Sequence, residues 1–387
     1  MKTPPLWLLS TLMMFPQVAE TIYSPALPDL ANTFEISSDT ASLTLSVYFT
    51  AFALGVFVWG RLCDVIGRRK AMLGGLLTYC VGCALASVAN DFSVVLLARV
   101  IAAFGAAVGS VIGQTILRDA FEGPALAKVF SIMGMAVAIS PVIGLLAGGV
   151  LTTQWGYLGV FLALMISAGI LLASTFIKLP ETKPNNTQRI PLFGLAIRMA
   201  KDASIWRNAI LIAMFNLLLF GFYAIAPFSF ERMGYSSIEF SYSGFALAAG
   251  SFLGGLLNKS LVQRHQNLDR IVAVACGLML IGSVGVCVLS DSIWLLAPMM
   301  LVVMANGIAI PNVLGRALAN YRDVAGSAGA LFGLMYYLML GAALGIAGEF
   351  QYLGGTLVVA SLVSVICTLR FPALKRNALY EAKHKNE

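Results

Sequence analysis

Charge is scarce in this chain and histidine scarcer still: 11% of its 387 residues are Asp, Glu, Lys or Arg, and only His265 and His384 are histidine. A soluble domain carries about 25% charged residues, so a composition that is 59% hydrophobic excludes an ordinary water-soluble fold. Six cysteines, Cys63, Cys80, Cys83, Cys276, Cys287 and Cys367, all fall in or beside apolar stretches. Cys80 and Cys83 have the spacing of a redox or zinc pair, but no further ligands complete a four-ligand site, so they read as small packing residues. The chain also lacks a nucleophile constellation, a metal cluster and a nucleotide-binding loop, so neither an enzyme nor a bound cofactor is expected. The N-terminal apolar run continues through Pro25 with no small-residue cleavage site, and is expected to stay as a membrane helix.

What the chain has is a succession of about a dozen apolar stretches, with 23 of its 25 Lys and Arg confined to every second gap and the termini. The intervening gaps hold Asp29, Glu35, Asp39, Asp91, Glu231 and Asp291, with Arg232 as the one basic residue among them. Basic residues resist translocation, so the basic gaps and both termini are expected in the cytoplasm. Basic residues divided among short loops do not form a nucleic-acid face, and no nucleic-acid partner is expected despite a formal charge of +7.

About 20 apolar residues span a bilayer. The pattern predicts helices over 6–28, 40–60, 71–89, 93–117, 125–150 and 157–178, then 205–227, 239–258, 269–289, 293–317, 327–349 and 353–371. The predicted fold is an all-α integral membrane protein of 12 helices in two six-helix bundles, 1–178 and 205–371. Residues 179–204, with Pro180, Pro184 and Pro191, read as a cytoplasmic linker containing a short amphipathic piece around 192–200, and 372–387 as a cytoplasmic tail. Two such bundles joined by a linker are a layout that transporters use.

The gap after the second stretch reads Gly60-Arg61-Leu62-Cys63-Asp64-Val65-Ile66-Gly67-Arg68-Arg69-Lys70. Here the chain resembles the major facilitator superfamily, whose signature loop lies between its second and third helices; Val65 stands where a basic residue is usual. The resemblance implies a conformational gate at Gly60, Asp64, Gly67, Arg68 and Arg69, with Arg118, Asp119, Pro141, Gly144 and Gly148. A carboxylate at Asp64 is suited to a helix N-terminus, and the eleventh stretch offers one at Gly326-Ser327-Ala328-Gly329. The fifth stretch carries Ser140-Pro141 with Gly144 and Gly148, which resembles the antiporter motif of exporters in that superfamily. Proline bends a helix, and glycines four apart admit a second backbone.

Arg99 lies inside the fourth stretch, with Gly105, Gly109 and Gly113 at four-residue intervals along one face. An intramembrane arginine is expected to face a cavity or a partner. Glu20 is the one carboxylate deep in the first stretch, and both residues sit about 9–12 Å from the outer ends of their helices. Glu20 is therefore expected to contact Arg99, directly or through water, to carry protons and to act as possible counter-ion to a cationic substrate. A purely structural Glu–Arg pair is the other reading. Glu349 is a weaker proton-site candidate, and Glu239 is expected to cap a helix.

Tyr23-Ser24-Pro25-Ala26-Leu27-Pro28, Arg118-Asp119, Phe230-Glu231-Arg232-Met233-Gly234-Tyr235 and Ala305-Asn306-Gly307 with Pro311 run along nearly the whole chain. Together they resemble the Bcr/CflA group of bacterial drug–proton exporters. Thr21 stands where that group has an Asp, with the carboxylate displaced by one residue to Glu20. The resemblance implies a monomer in the bacterial inner membrane that exports small drug-like molecules against protons. Export of one endogenous metabolite, such as a siderophore, sugar or amino-acid derivative, is the alternative. The resemblance also places the substrate near the axis between the bundles, where Tyr23, Tyr48, Gln114, Asn216, Phe220, Tyr223, Asn306, Tyr336 and Tyr337 supply aromatic and polar groups.

Overall fold

The structure, a computed structural model, describes residues 4–183, 192–264 and 267–384. It is helical throughout, with no strand among the described residues. The first bundle contains α1 (Leu6–Thr21), α2 (Leu27–Thr33), α3 (Ser38–Ile66), α4 (Arg68–Ser87), α5 (Phe92–Ala120) and α6 (Gly123–Lys178). A short helix, α7 (Leu192–Ala200), lies where the amphipathic linker piece was expected. The second bundle contains α8 (Ala203–Arg232), α9 (Ser237–Ser241), α10 (Ser243–Arg264), α11 (Leu268–Val288), α12 (Leu296–Ala317), α13 (Ala325–Phe350) and α14 (Leu353–His384). Most of the linker, 184–191, lies outside the described residues, and the stretch predicted as a tail continues α14 as far as His384.

Among the described residues, nine helices are long and apolar enough to cross a membrane. One of them, α6, has 56 residues and would measure about 84 Å if straight, far more than the ~30 Å hydrocarbon layer. It reverses at Gly156, whose φ of 63° is open chiefly to glycine. Asp29 Oδ2 accepts the Tyr157 N–H at 2.7 Å and so starts the second half of α6. With that division, and with α1 and the apolar part of α14 each making one crossing, the predicted twelve spans are recovered. The first differs in form: α1 ends at Thr21, and a 3-10 turn at Ser24–Ala26 leads into α2, so the predicted continuous helix over 6–28 is broken.

Polar residues at the helix ends explain where the chain leaves each helix. Asp91 accepts from the amides of Ser93 and Val94 to start α5, and Asp202 does so from Ser204 to start α8. Ser236 and Glu239 form a reciprocal capping box at α9, which bears out the capping role expected of Glu239.

The two bundles meet along seams of small residues. Ser46 Oγ donates to the Gly341 carbonyl at 2.8 Å, while Gly345 and Gly348 of α13 face Ser46 and Ser42 of α3. Without side chains at these positions the backbones approach closely, the usual means of tight helix packing in lipid. Gln351 Nε2 donates to Ser42 Oγ at 2.7 Å, Ser24 Oγ to the Tyr223 carbonyl at 2.6 Å, and Asn32 Nδ2 to Glu231 Oε1 at 3.2 Å. Among the described residues, every hydrogen bond joining the first bundle to the second lies in the half nearer the Lys- and Arg-poor end, termed the outer end below.

Candidate functional site

Glu20 sits one residue before α1 ends, where the chain breaks into the 3-10 turn. It is 4% exposed, and its Oε2 has no hydrogen-bond partner. Ser24, four residues on, donates to the Tyr223 carbonyl, so this end of α1 lies against the second bundle.

Arg99 is 1% exposed and makes neither an ion pair nor a hydrogen bond with Glu20. Of the two expected forms of contact, direct or through water, the direct one is absent, and Arg99 is held by aromatic rings. The guanidinium carbon lies 4.1 Å from the centre of the Tyr23 ring and 4.4 Å from that of Tyr48. A desolvated cation over an aromatic face gains about 2 kcal/mol, so two rings offset part of the burial of this charge. Periodicity could not reveal this clamp, because Tyr23 follows the break that ends α1 and Tyr48 comes from α3.

An aromatic cluster continues from this clamp across the interface. Phe49 of α3 meets Phe220 of α8 at 4.4 Å between ring centres, Phe52 meets Tyr337 of α13 at 5.1 Å, and Tyr336 meets Tyr337 at 4.3 Å. Phe220 also contacts Tyr223, and Phe332 contacts Tyr336. Five expected aromatic residues, Tyr48, Phe220, Tyr223, Tyr336 and Tyr337, are thus brought together, and Tyr23 joins them through Arg99. Sequence reasoning missed Phe49, Phe52 and Phe332. Their proximity to Tyr48 and Tyr336 at helical spacing was the available signal, but Phe in a lipid-spanning helix is ordinary composition. Beside Tyr223 a small cavity opens among Pro141, Leu145, Leu247, Ser251 and Val303.

The three expected polar residues bond or lie as follows. Asn216 donates to the Ile212 carbonyl of its own helix at 2.9 Å. Asn306 donates to the Phe215 carbonyl at 3.1 Å, tying α12 to α8. Gln114 lies fifteen residues beyond Arg99 on α5, about 22 Å nearer the inner end. Glu349 is exposed at the outer end of α13.

The glycines of the fifth stretch pack directly beneath Glu20. A Cβ on Gly144 would collide with Thr21 Oγ1, and one on Gly148 with the Ile22 carbonyl. On α5, Gly109 and Gly113 likewise seat α1, whereas Gly105 faces Gly75 and Tyr79 of α4, so the three do not share one partner.

At the inner end, Asp64 pairs with Arg68 at 2.8 Å, and Arg68 pairs with Asp119 at 2.8 Å. The start of α13 at Gly326 has no neighbour within reach of an added Cβ, and Asp64 is turned to Arg68 instead of capping that helix as expected. Glu181, from the linker, performs the analogous task elsewhere: its carboxylate accepts from the amides of Arg68 and Arg69 at 2.8 and 3.2 Å, at the first turn of α4. Gly67, with φ 100°, leaves room for it. Arg69 lies over the Phe176 ring, Arg118 over Phe130, and Gly60 faces Val111 and Ala330. Among the described residues no group of His, Cys, Asp and Glu is placed to hold a metal ion.

Two helical bundles in lipid, sealed at one end around a buried acid, a buried base and an aromatic cluster, define a membrane transporter. The chain belongs to the Major Facilitator Superfamily, whose sequence profile matches residues 9–371. An uncharacterized transporter of Rickettsia bellii is 34% identical over 87% of this chain and 88% of its own length. Multidrug resistance protein D of Escherichia coli is 25% identical over 85% of this chain and 84% of its own. The crystal structure of a D-xylose-proton symporter superposes with a TM-score of 0.75 at 14% identity, covering 94% and 95% of the two chains, and shares the fold.

Proposed function

We propose that this transporter exports small drug-like molecules from the cytoplasm of a bacterium across its inner membrane, in exchange for protons. Glu20 carries the proton, Arg99 in its tyrosine clamp modulates it, and the aromatic cluster forms the wall against which the substrate binds. The observation that carries this reading is the position of Glu20: a buried carboxylate with an unpartnered oxygen, four residues before Ser24, which bonds the second bundle at the Tyr223 carbonyl. A proton on that oxygen removes a charge from an apolar site, and a bound cation can replace it, so the two compete for one place. Gly144 and Gly148 hold α1 against α6 beside this carboxylate, and the Asp64–Arg68–Asp119 chain serves as the inner gate. The likeness to a multidrug resistance protein supports the same substrate class.

The test is proton release from purified, detergent-solubilised protein when candidate drug-like compounds are added. The intact protein releases protons and Glu20→Gln does not. Undiminished release from the variant moves the proton site elsewhere, and no release with a broad compound panel favours a single endogenous metabolite as substrate.

A further inference from the structure

The two bundles are zipped differently on their two sides. Along α3 and α13 the packing runs towards the inner end: Gly333 faces Val56, and Gly60 faces Ala330. Along α6 and α10 it stops part-way. Gly149 packs on Ser241 of α9, and Gly244 of α10 packs on Leu145 and Val142. Residues three and four apart share a helix face, so Ala138, Met135 and Ser131 continue the face of α6 that carries Gly149, Leu145 and Val142. All three are exposed, Met135 by 65%. On α10 the face of Gly244, Ala248 and Ser251 continues to Gly255, which has no neighbour within reach of an added Cβ. The two helices therefore part below Ala138 and Ser251.

The depth of this gap decides what it opens onto. The half of α6 before Gly156 measures about 50 Å, so about 10 Å projects on each side of a ~30 Å hydrocarbon layer. Ser131 to Ala138 lie about 12–22 Å from its start, within the hydrocarbon of the leaflet at the inner end. Lipid tails are the medium there. At its closed end the gap becomes the small cavity lined by Ala138, Val142, Leu247 and Ser251, with Tyr223 in its wall.

Tyr223 supplies a second observation. It is 1% exposed, and its hydroxyl has no hydrogen-bond partner among the described residues. The hydroxyls of Tyr23, Tyr48 and Tyr79 are likewise unpartnered but closed off completely, whereas that of Tyr223 stays reachable, and this cavity is the space its side chain lines. Its ring also meets Phe220 of the aromatic cluster at 5.8 Å.

We propose that the gap between α6 and α10 is a side port through which a single-chain amphiphilic amine passes from the leaflet to the aromatic cluster, its chain between the two helices and its N–H donating to the Tyr223 hydroxyl oxygen. The walls are apolar apart from Ser251 and match a hydrocarbon chain. A phenol oxygen accepts the one donor of a protonated tertiary amine, and the ring faces of Tyr223 and Phe220 attract its charge. The closed α3–α13 seam leaves this side as the route. The inference rests on the transport reading for the onward path of the amine, and the port with its occupant is tested without it.

The experiment is photolabelling of the full-length protein in liposomes with N,N-dimethyldodecylamine carrying a diazirine in mid-chain, read by mass spectrometry of its peptides. Label saturates with probe concentration on 131–142 and 248–255, at least fivefold above the level on 56–60 and 330–333 of the opposite seam. Ala138→Trp and Ser251→Trp each lower it at least fivefold. Val359→Trp, an equally bulky change on an exposed face of α14, leaves it unchanged. Tyr223→Phe lowers labelling by the amine at least threefold and labelling by the corresponding diazirine alkane not at all. Equal labelling of the two seams, or of every lipid-facing helix, means a probe merely dissolved in lipid and overturns the proposal. Labelling that both tryptophan variants leave intact overturns it equally. The proton-release test of Glu20 reads a separate event, so either reading can fail without the other.

Discussion

Gly144 of α6 lies so close to Thr21 of α1 that any side chain on it would displace the threonine hydroxyl. Thr21 follows Glu20 directly, so the glycine sets the depth and rotation at which the carboxylate is presented.

Gly144→Val therefore separates the two helices. Overpacking of this kind costs about 1–3 kcal/mol, and the unfolding temperature of the detergent-solubilised protein is expected to fall by several degrees. Gly134, which has no neighbour within reach of an added Cβ, is the internal control: Gly134→Ala leaves that temperature nearly unchanged.

The tyrosine clamp predicts a distinction between ring and hydroxyl. Tyr23→Phe and Tyr48→Phe retain the faces that hold Arg99, whereas Tyr23→Leu and Tyr48→Leu remove about 2 kcal/mol of cation–π stabilisation each. Transport assayed in vesicles should survive the first pair and fall about tenfold in the second.

Glu181 and Arg68 tie the linker, α4 and α5 together at the inner end. Glu181→Ala removes the acceptor for two amides at the start of α4 and is expected to cost about 0.5–2 kcal/mol, with faster hydrogen exchange at Arg68 and Arg69. Arg68→Lys cannot reach Asp64, Asp119 and the Cys63 carbonyl together as the guanidinium does. A double-mutant cycle between Arg68 and Asp119 should return about 1–3 kcal/mol of coupling, since both side chains are largely shielded from solvent.

Acid should release one identifiable tie. Burial works to raise the Asp202 carboxyl, but hydrogen bonds from the Ser204 hydroxyl and amide, the Tyr321 hydroxyl and the Ile205 amide outweigh it and hold it below its ordinary 3.8. A depressed carboxyl stabilises the fold above its unfolded-state value and loses that contribution as pH falls through the folded-state value. Stability measured by thermal unfolding should thus decline below about pH 4, with a shallower decline in Asp202→Asn.

The order and number of the helices were legible because lipid imposes one rule on every crossing: about 20 apolar residues, broken by polar turns. The signature loop and the glycines of the fifth stretch were legible for the same kind of local reason, since a turn and a close backbone approach each demand glycine. The break after Thr21 went unread although Pro25 marks it, since a proline can also sit inside a membrane helix, as Pro16 does in α1. The candidate site divides along the same line. Glu20 and Arg99 stand out in any apolar stretch because an ionised group in hydrocarbon is costly. The tyrosine clamp on Arg99 was not legible, nor was the choice of Glu181 over Asp64 as a helix cap.

By itself the sequence determined that this chain lies in a membrane, how many times it crosses, and which few charged groups are buried there, since each depends on composition along one helix. Which faces of those helices meet was decided by tertiary structure alone: the tyrosines around Arg99, the phenylalanines across the interface and the walls of the gap between α6 and α10 come from segments far apart in the chain. In helices that are apolar all round, hydrophobic periodicity no longer marks an inward face, and only packing against neighbouring helices selects one.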